Sequence, residues 1–528
     1  MSVKAQPALI LFAAASLAVT VQPRAQTRNF DLLTASVADI QDAVGAGALT
    51  YERLVQLYLN RIDAYDKKGP RLNAVLAVNP RALEIARGLD AERKAKGLRS
   101  PLHGIPIAVK DNVDVSDLPS TAGMLAFAGS YPKRDATVIS KLREAGAIIF
   151  LKTNMDELAL GSYGVSSLGG QILNPYDLSR HPGGSSGGTA VAITAGFATV
   201  GIATETGVSI RSPASNSSIV GIAPSEGLVS RAGVVPNSFT QDRIGPHARS
   251  VADAALLLTC LRGFDADDLS TAKSLGESGS ESYAAKLDDR ALTASRIGVL
   301  RDLFRKGDQF APINVLIEGQ INAIERAGAQ VDRELTTGTD LIAALPTMRL
   351  NVYELKAGLD AYLQRRDGPV KSLAELAASG KYLKVKRIDE RFADALKVRM
   401  DTDAEYLSRL ERRRTMRQRL VDLMDKSGVD ALVYPFKSLA APAIGVGDDG
   451  VRDNPLSAVT GLPAIVVPAG VSAEGLPIAI EFLGRPFSEP RLIQLAHAYE
   501  RATRMRKAPP TTPALQGERF TYEGGPGR

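Results

Sequence analysis

From residue 30 to about residue 100 apolar residues recur at three- and four-residue steps. The run SVADIQDAVGAGALTYERLVQLYLNRIDAYDKK therefore predicts amphipathic helices, with Ser36 and Thr50 placed to cap helix starts. The pattern then changes. GIPIAVKDNV, residues 104–113, alternates like a strand and predicts one ending at Lys110. DATVISKLREAGAIIFLKTNMDELA predicts a helix, a glycine turn, a strand over Ala147–Lys152 and a second helix. Further strand-like runs are GFATVGIATETG (196–207), DALVYPF (430–436), AIVVPAG (464–470) and LPIAIEFLG (476–484). Strands alternating with helices predict the α/β class. The expected architecture is one large domain with a mixed, largely parallel twisted sheet flanked by helices. Its core spans 104–260 and 430–505. Residues 265–430 are charged, helix-rich and poor in strand signals, which predicts an insertion or cap facing substrate. The domain occupies 27–515, and the tail, 516–528, is expected extended or frayed.

The first residues follow another pattern. Lys4 precedes an apolar stretch from Ala8 to Val21, and polar residues follow. Residues 1–26 read as a secretory signal peptide, which predicts a periplasmic or secreted protein. The stretch is too short to span a bilayer comfortably, so no stable membrane insertion is expected. Composition adds exclusions. The net charge of +6 is small against 64 basic and 58 acidic residues, so no nucleic-acid partner is expected. The densest basic patch, ERRRTMRQR (411–419), lies in a helical pattern with Leu407, Leu410, Leu420 and Leu423 and reads as a solvated helix face. The single cysteine, Cys260, excludes an intrachain disulfide and reads as a small buried hydrophobe. His103, His181, His247 and His497 show no metal-binding spacing, and neither His247 nor His497 has a suggestive acidic setting. No metal or other cofactor is expected, and the pattern sets no oligomeric state.

The conspicuous chemistry is RHPGGSSGGTAVA, 180–192. A P-loop would need a lysine after the glycines, and none follows. Gly183–Gly187 matches the G-x-S-x-G nucleophile elbow, but NPYDLSRHPGG upstream is loop rather than strand. STAK, 270–273, matches the S-x-x-K motif of β-lactamases, a four-residue pattern that chance readily supplies. The wider set is more specific: GIPIAVKDN (104–112), TNMDELA (153–159), HPGGSSGGTAVA (181–192), TETGVSIRSPAS (204–215), GLVSRAGVVP (227–236) and DRIGPHARSVADAALLL (242–258). GLPAIVVPAG and GLPIAIEFLGRPFSE continue it. In this order the motifs resemble the amidase signature family over most of residues 35–505.

The resemblance implies an amidohydrolase that cleaves small carboxylic amides to an acid plus ammonia or an amine, with esters as side substrates and no cofactor. Residue by residue, it makes Ser209 the nucleophile, Ser185 the bridging serine after a cis peptide bond, and Lys110 the base. It assigns the oxyanion site to the backbone N–H groups of Thr206, Gly207, Val208 and Ser209. The chemistry is coherent. A serine hydroxyl needs a neighbour to take its proton. A lysine serves only when neutral, so its pKa must fall from about 10.4. The apolar run IPIAV before Lys110 can supply the burial that lowers it. Arg211 is expected to brace the loop through Glu205 or Asp111, Asp156 and Glu157 to cap or orient a helix, and His103 and His181 to be structural.

The chain departs from the family's usual TDTGGSIR, reading TETGVSIR. Glu205 is one methylene longer than the usual aspartate. Val208 replaces a glycine, and a β-branched residue suits positive φ poorly, which predicts a reshaped loop. GIAPSEG and Ser217-Ser218 are further departures. Two other readings stand beside the amidohydrolase. One is a glutamine amidotransferase A-type subunit, which an export signal counts against. The other is a catalytically impaired binding protein of the same fold, which Val208 motivates.

Overall fold

Ser36 caps the helix Val37–Gly45 in a capping box with Asp39. Thr50 caps Tyr51–Arg61 by accepting from the Arg53 amide. Both starts are those read from the sequence. The computed structural model describes residues 1–3, 27–277, 281–446 and 453–524. The apolar stretch Ala8–Val21 lies outside the described residues.

Eleven strands form the central sheet. Their order is Gln330–Leu335, Arg296–Leu300, Ala431–Pro435, Pro477–Leu483, Ala464–Val471, Val220–Ala223, Arg243–Ala248, Val200–Glu205, Pro106–Lys110, Ile148–Thr153 and Val75–Val78. Helices flank the sheet, and the expected strands at 104–113, 196–207, 430–436, 464–470 and 476–484 all lie in it. The strand direction differs from expectation. Pairings are parallel only in two wings, one on either side of Pro106–Lys110 and one on either side of Arg296–Leu300. The other neighbours are antiparallel, so the sheet is mixed rather than largely parallel. The cause is local: Ala464–Val471 and Pro477–Leu483 are joined by a short turn, and a hairpin needs no crossover helix. Strands buried on both faces read as continuous apolar runs whichever way they point.

Two other expectations change, and a third narrows to one of its alternatives. Residues 265–430 supply the strands Arg296–Leu300 and Gln330–Leu335 as well as helices. The helical part forms its own small core: Leu355, Leu359, Leu373 and Phe392 pack with Met124, Met155 and Leu158 of the sheet-bearing body. The tail is extended rather than frayed where it is described. Arg519–Glu523 pairs antiparallel with Thr27–Asp31, and neighbouring Glu518 makes a buried salt bridge of 2.8 Å to Arg61. The basic patch does lie in a helix, Ala404–Ser427, but Arg413 turns inward. Its guanidinium donates to the Val459 carbonyl at 2.7 Å and to Glu226 at 3.3 Å. Among the described residues no helix is long and apolar enough to cross a membrane.

Candidate active site

Every residue of the strand Pro106–Lys110 is buried. It runs parallel to Val200–Glu205, so both strands deliver their carboxyl ends to one edge of the sheet. There the Lys110 Nζ donates to the Ser185 Oγ at 2.7 Å, the Thr204 Oγ1 at 2.8 Å and the Thr204 carbonyl at 3.2 Å. Burial pushes its pKa down from 10.5 to about 7, against the opposing pull of Asp156, Asp242 and Glu205. Among the described residues Lys110 forms no salt bridge.

Ser185 is fully buried and follows a cis peptide bond from Gly184. Its carbonyl accepts from the Asp156 amide at 3.1 Å. The Asp156 carboxylate takes the amides of Tyr163 and Gly164 at 3.0 and 2.7 Å. Asp156 thus orients the glycine-rich loop rather than a helix. The expected second helix after Ile148–Thr153 is only a short 3₁₀ turn, Glu157–Ala159, with Leu158 at a φ of 52°. The glycines have a packing reason here: a Cβ on Gly184 would stand 1.9 Å from the Asp156 Oδ2, and one on Gly188 2.2 Å from the Asn154 carbonyl. Ser186 ties the same loop to the next strand, its Oγ donating to the Thr204 carbonyl at 3.0 Å.

Beyond Glu205 the chain turns into a loop that carries Ser209, which is 6% exposed. Glu205 folds back over it. Its carboxylate accepts from the amides of Ile210 at 3.1 Å and Arg211 at 3.3 Å, and from the Arg211 Nε at 3.1 Å. Arg211 also donates to Glu481 at 2.7 Å and Arg243 donates to Glu205, all four side chains being buried. Burial alone would raise the Glu205 pKa, but Arg211 and Arg243 outweigh it and hold the carboxyl below its ordinary value. Burial pushes Glu481 up to about 6 despite Arg211. Of the two partners expected for Arg211, Glu205 is the one used. Asp111 instead pairs with the buried Lys152 at 3.3 Å.

The loop leaves donors free. The Ile210 and Arg211 amides go to Glu205, and the Ser212 amide goes to the Val208 carbonyl at 2.7 Å. Among the described residues no protein acceptor takes the amides of Gly207, Val208 or Ser209. Val208 does not have a positive φ, and its side chain packs against the main core. The strain expected from a β-branched residue is therefore absent. Thr206 is held on both sides: its hydroxyl donates to the Asp242 Oδ1 at 2.5 Å, and its carbonyl accepts from the Gln241 Nε2 at 3.3 Å. No hydrogen bond joins Ser185 to Ser209 among the described residues, so the structure links Lys110 directly to Ser185 only.

Other expected groups fall elsewhere. His103 bonds the Leu89 carbonyl at 3.0 Å, and His181 packs on the Tyr163 ring. His247 bonds the Ile210 carbonyl at 2.7 Å, and burial pushes its pKa down to about 4. His497 does have an acidic partner, Asp289 at 2.8 Å, which sequence distance concealed. Cys260 is half-buried against the core, and burial pushes its thiol up to about 11. Lys273 of STAK pairs with Glu226, not Ser270. Among the described residues no cluster of His, Cys, Asp and Glu could hold a metal ion. The residues that sequence reading missed are Thr204, Gln241, Asp242, Arg243 and Glu481. A cavity of about 850 Å³ is lined by Val234, Pro236 and Asp242 and by Gly358, Tyr362 and Arg366. Asp242, part of that lining, is also the acceptor of the Thr206 hydroxyl.

Fold and site together define the class: an α/β protein with a buried lysine–serine pair at the carboxyl ends of its parallel strands. The chain belongs to the amidase family, whose model matches residues 53–493. It is 36% identical to an Arabidopsis thaliana protein named "Probable amidase", over 95% of this chain and 97% of that one. It is 35% identical to the A-type subunit of the glutamyl-tRNA(Gln) amidotransferase from Anaeromyxobacter sp. strain K, over 88% and 96%. The crystal structure of the peptide amidase from Stenotrophomonas maltophilia superposes with a TM-score of 0.83 at 39% identity, over 90% of this chain and 98% of that one.

Proposed function

We propose that this chain hydrolyses carboxylic amides to an acid plus ammonia or an amine through an acyl-Ser209 intermediate, with Lys110 and Ser185 as the proton relay. One observation carries the proposal: a fully buried Lys110, poised near neutral pH, donates to the Ser185 Oγ at 2.7 Å. Neutral Lys110 accepts the Ser185 proton while Ser185 takes that of Ser209. The Ser209 Oγ then forms a bond to the amide carbon, whose oxygen becomes an oxyanion. The free amides of Gly207, Val208 and Ser209, with that of Thr206, donate to it. Such pre-oriented donors are each worth about 10²–10³ in rate. The relay returns the proton to the leaving nitrogen, the C–N bond breaks, and water releases the acid by the reverse proton path. Esters follow the same path.

The 39% identity to a peptide amidase supports peptide amides as the first substrates to try. A fluorophosphonate probe tests the nucleophile. Labelling is expected on Ser209 and absent in Ser209→Ala; full labelling of that variant would remove Ser209 from the role. The amidotransferase relatives support a second reading, a glutaminase component of a larger enzyme. Glutamine hydrolysis that depends on an added partner, without peptide-amide hydrolysis, would favour it. A chain with neither activity nor labelling would favour the binding-protein reading. We further propose export directed by residues 1–26. Sequencing the mature N-terminus of protein from the native cell should find those residues gone, and an intact Met1 would refute export.

A further inference from the structure

The Ser209 loop is gripped from the helical cap, through two consecutive residues. Gln241 and Asp242 hold the carbonyl and the hydroxyl of Thr206. The turn that presents them is itself clasped. Asp242 accepts from the amides of Asn237 and Ser238 at 2.8 and 2.9 Å, and the Gln241 Oε1 takes the Leu350 amide, at the start of the cap helix Asn351–Arg365, at 2.5 Å. One turn into that helix, Glu354 is fully buried. Its carboxylate accepts from the Thr240 amide at 3.0 Å, the Thr240 hydroxyl at 2.6 Å, the Tyr406 hydroxyl at 2.8 Å, and the Ser238 hydroxyl. Among the described residues Glu354 forms no ion pair.

A carboxylate buried without a cation is costly unless hydrogen bonds satisfy it. Here four uncharged donors do so, and three of them belong to the 238–240 turn. The helix that carries Glu354 also lines the 850 Å³ cavity, through Gly358 and Tyr362, and Asp242 lines it too.

We propose that Glu354 is a positioning residue for the reaction: from the cap it fixes the 238–242 turn, which fixes Thr206 and so the aim of the oxyanion-binding amides. The proposal rests on the acyl-Ser209 reading. It places the cap in the catalytic step as well as in substrate enclosure. Small errors in placing reacting or stabilising groups are expensive, about 10²-fold for a displacement near 1 Å.

The test is a double-mutant cycle of Glu354→Gln and Thr206→Val in the full chain, read by steady-state amide hydrolysis. Glutamine keeps the shape but offers one acceptor oxygen where two are used. Each single substitution should lower kcat roughly tenfold to a hundredfold while KM stays within about twofold. The double variant should be no slower than the worse single by more than about threefold, because both act through the same contact. A wild-type kcat in Glu354→Gln, or losses that multiply in the double, would overturn the proposal while leaving the parent reading intact. A wild-type chain that neither hydrolyses amides nor labels at Ser209 would overturn both. Should Glu354→Gln fail to fold, Thr240→Val removes one of the four bonds, and its kcat must fall with KM unchanged.

Discussion

Replacing Lys110 by methionine should reduce kcat/KM by roughly 10⁴-fold or more. Methionine fills a similar apolar volume but cannot take a proton from Ser185. In the wild-type chain the rate should rise with pH along a limb centred near 7, where the buried Lys110 loses its charge. The sign follows from the chemistry: the protonated form has no lone pair to accept with. Stability carries the same signature. The folded pKa lies below the unfolded value of 10.5, so between pH 7 and about 10 the unfolded chain binds more protons. Folding therefore strengthens as pH rises through that window. Relative to Lys110→Met, the wild type should gain up to about 1.4 kcal/mol per pH unit, measured by urea unfolding at several pH values. The subtraction removes the contribution of Lys152, which is also buried and also shifted down. Identical pH slopes in the two proteins would show that Lys110 is not a depressed lysine. An unchanged turnover would remove it as the base.

Much of this site was legible because its parts are local. Lys110 ends an apolar strand and Ser185 lies in a glycine-rich run, and each can be read within ten residues of itself. Glu205 was legible as a partner for Arg211 because the two are six residues apart. Glu481 was not. It reaches Arg211 from a strand 270 residues downstream, where PIAIEFL shows only an acid inside an apolar alternation. A buried charge in such a run is the one available hint, since it demands a partner. Asp242 opens the DRIGPHARS motif and Gln241 stands just before it, yet nothing in QDRIG says that they face Thr206. The fold follows the same rule. Period and capping located the strands and helices, but strand direction depends on connections made in space. The inward turn of Arg413 depends on Glu226, 187 residues away.

The Glu205–Arg211–Glu481 cluster sets the second large effect. Arg211→Met should destabilise the chain by about 3–5 kcal/mol, because it strands two buried carboxylates that share one guanidinium. Arg243 still reaches Glu205, so Glu481 bears most of that loss. Arg211→Lys should not rescue it, since a single ammonium cannot replace a planar fork that spans both acids. Stability and catalysis should then separate. Adding Glu481→Leu to Arg211→Met removes the stranded acid and should recover part of the lost unfolding free energy in urea titrations. Turnover should not recover with it. The Arg211 guanidinium also donates to the Gly207 carbonyl at 2.8 Å, and that contact fixes the peptide beside the free amides of the Ser209 loop. Recovery of rate in step with stability would mean that the arginine only balances charge. Recovery of stability alone would mean that it also sculpts the loop around Ser209.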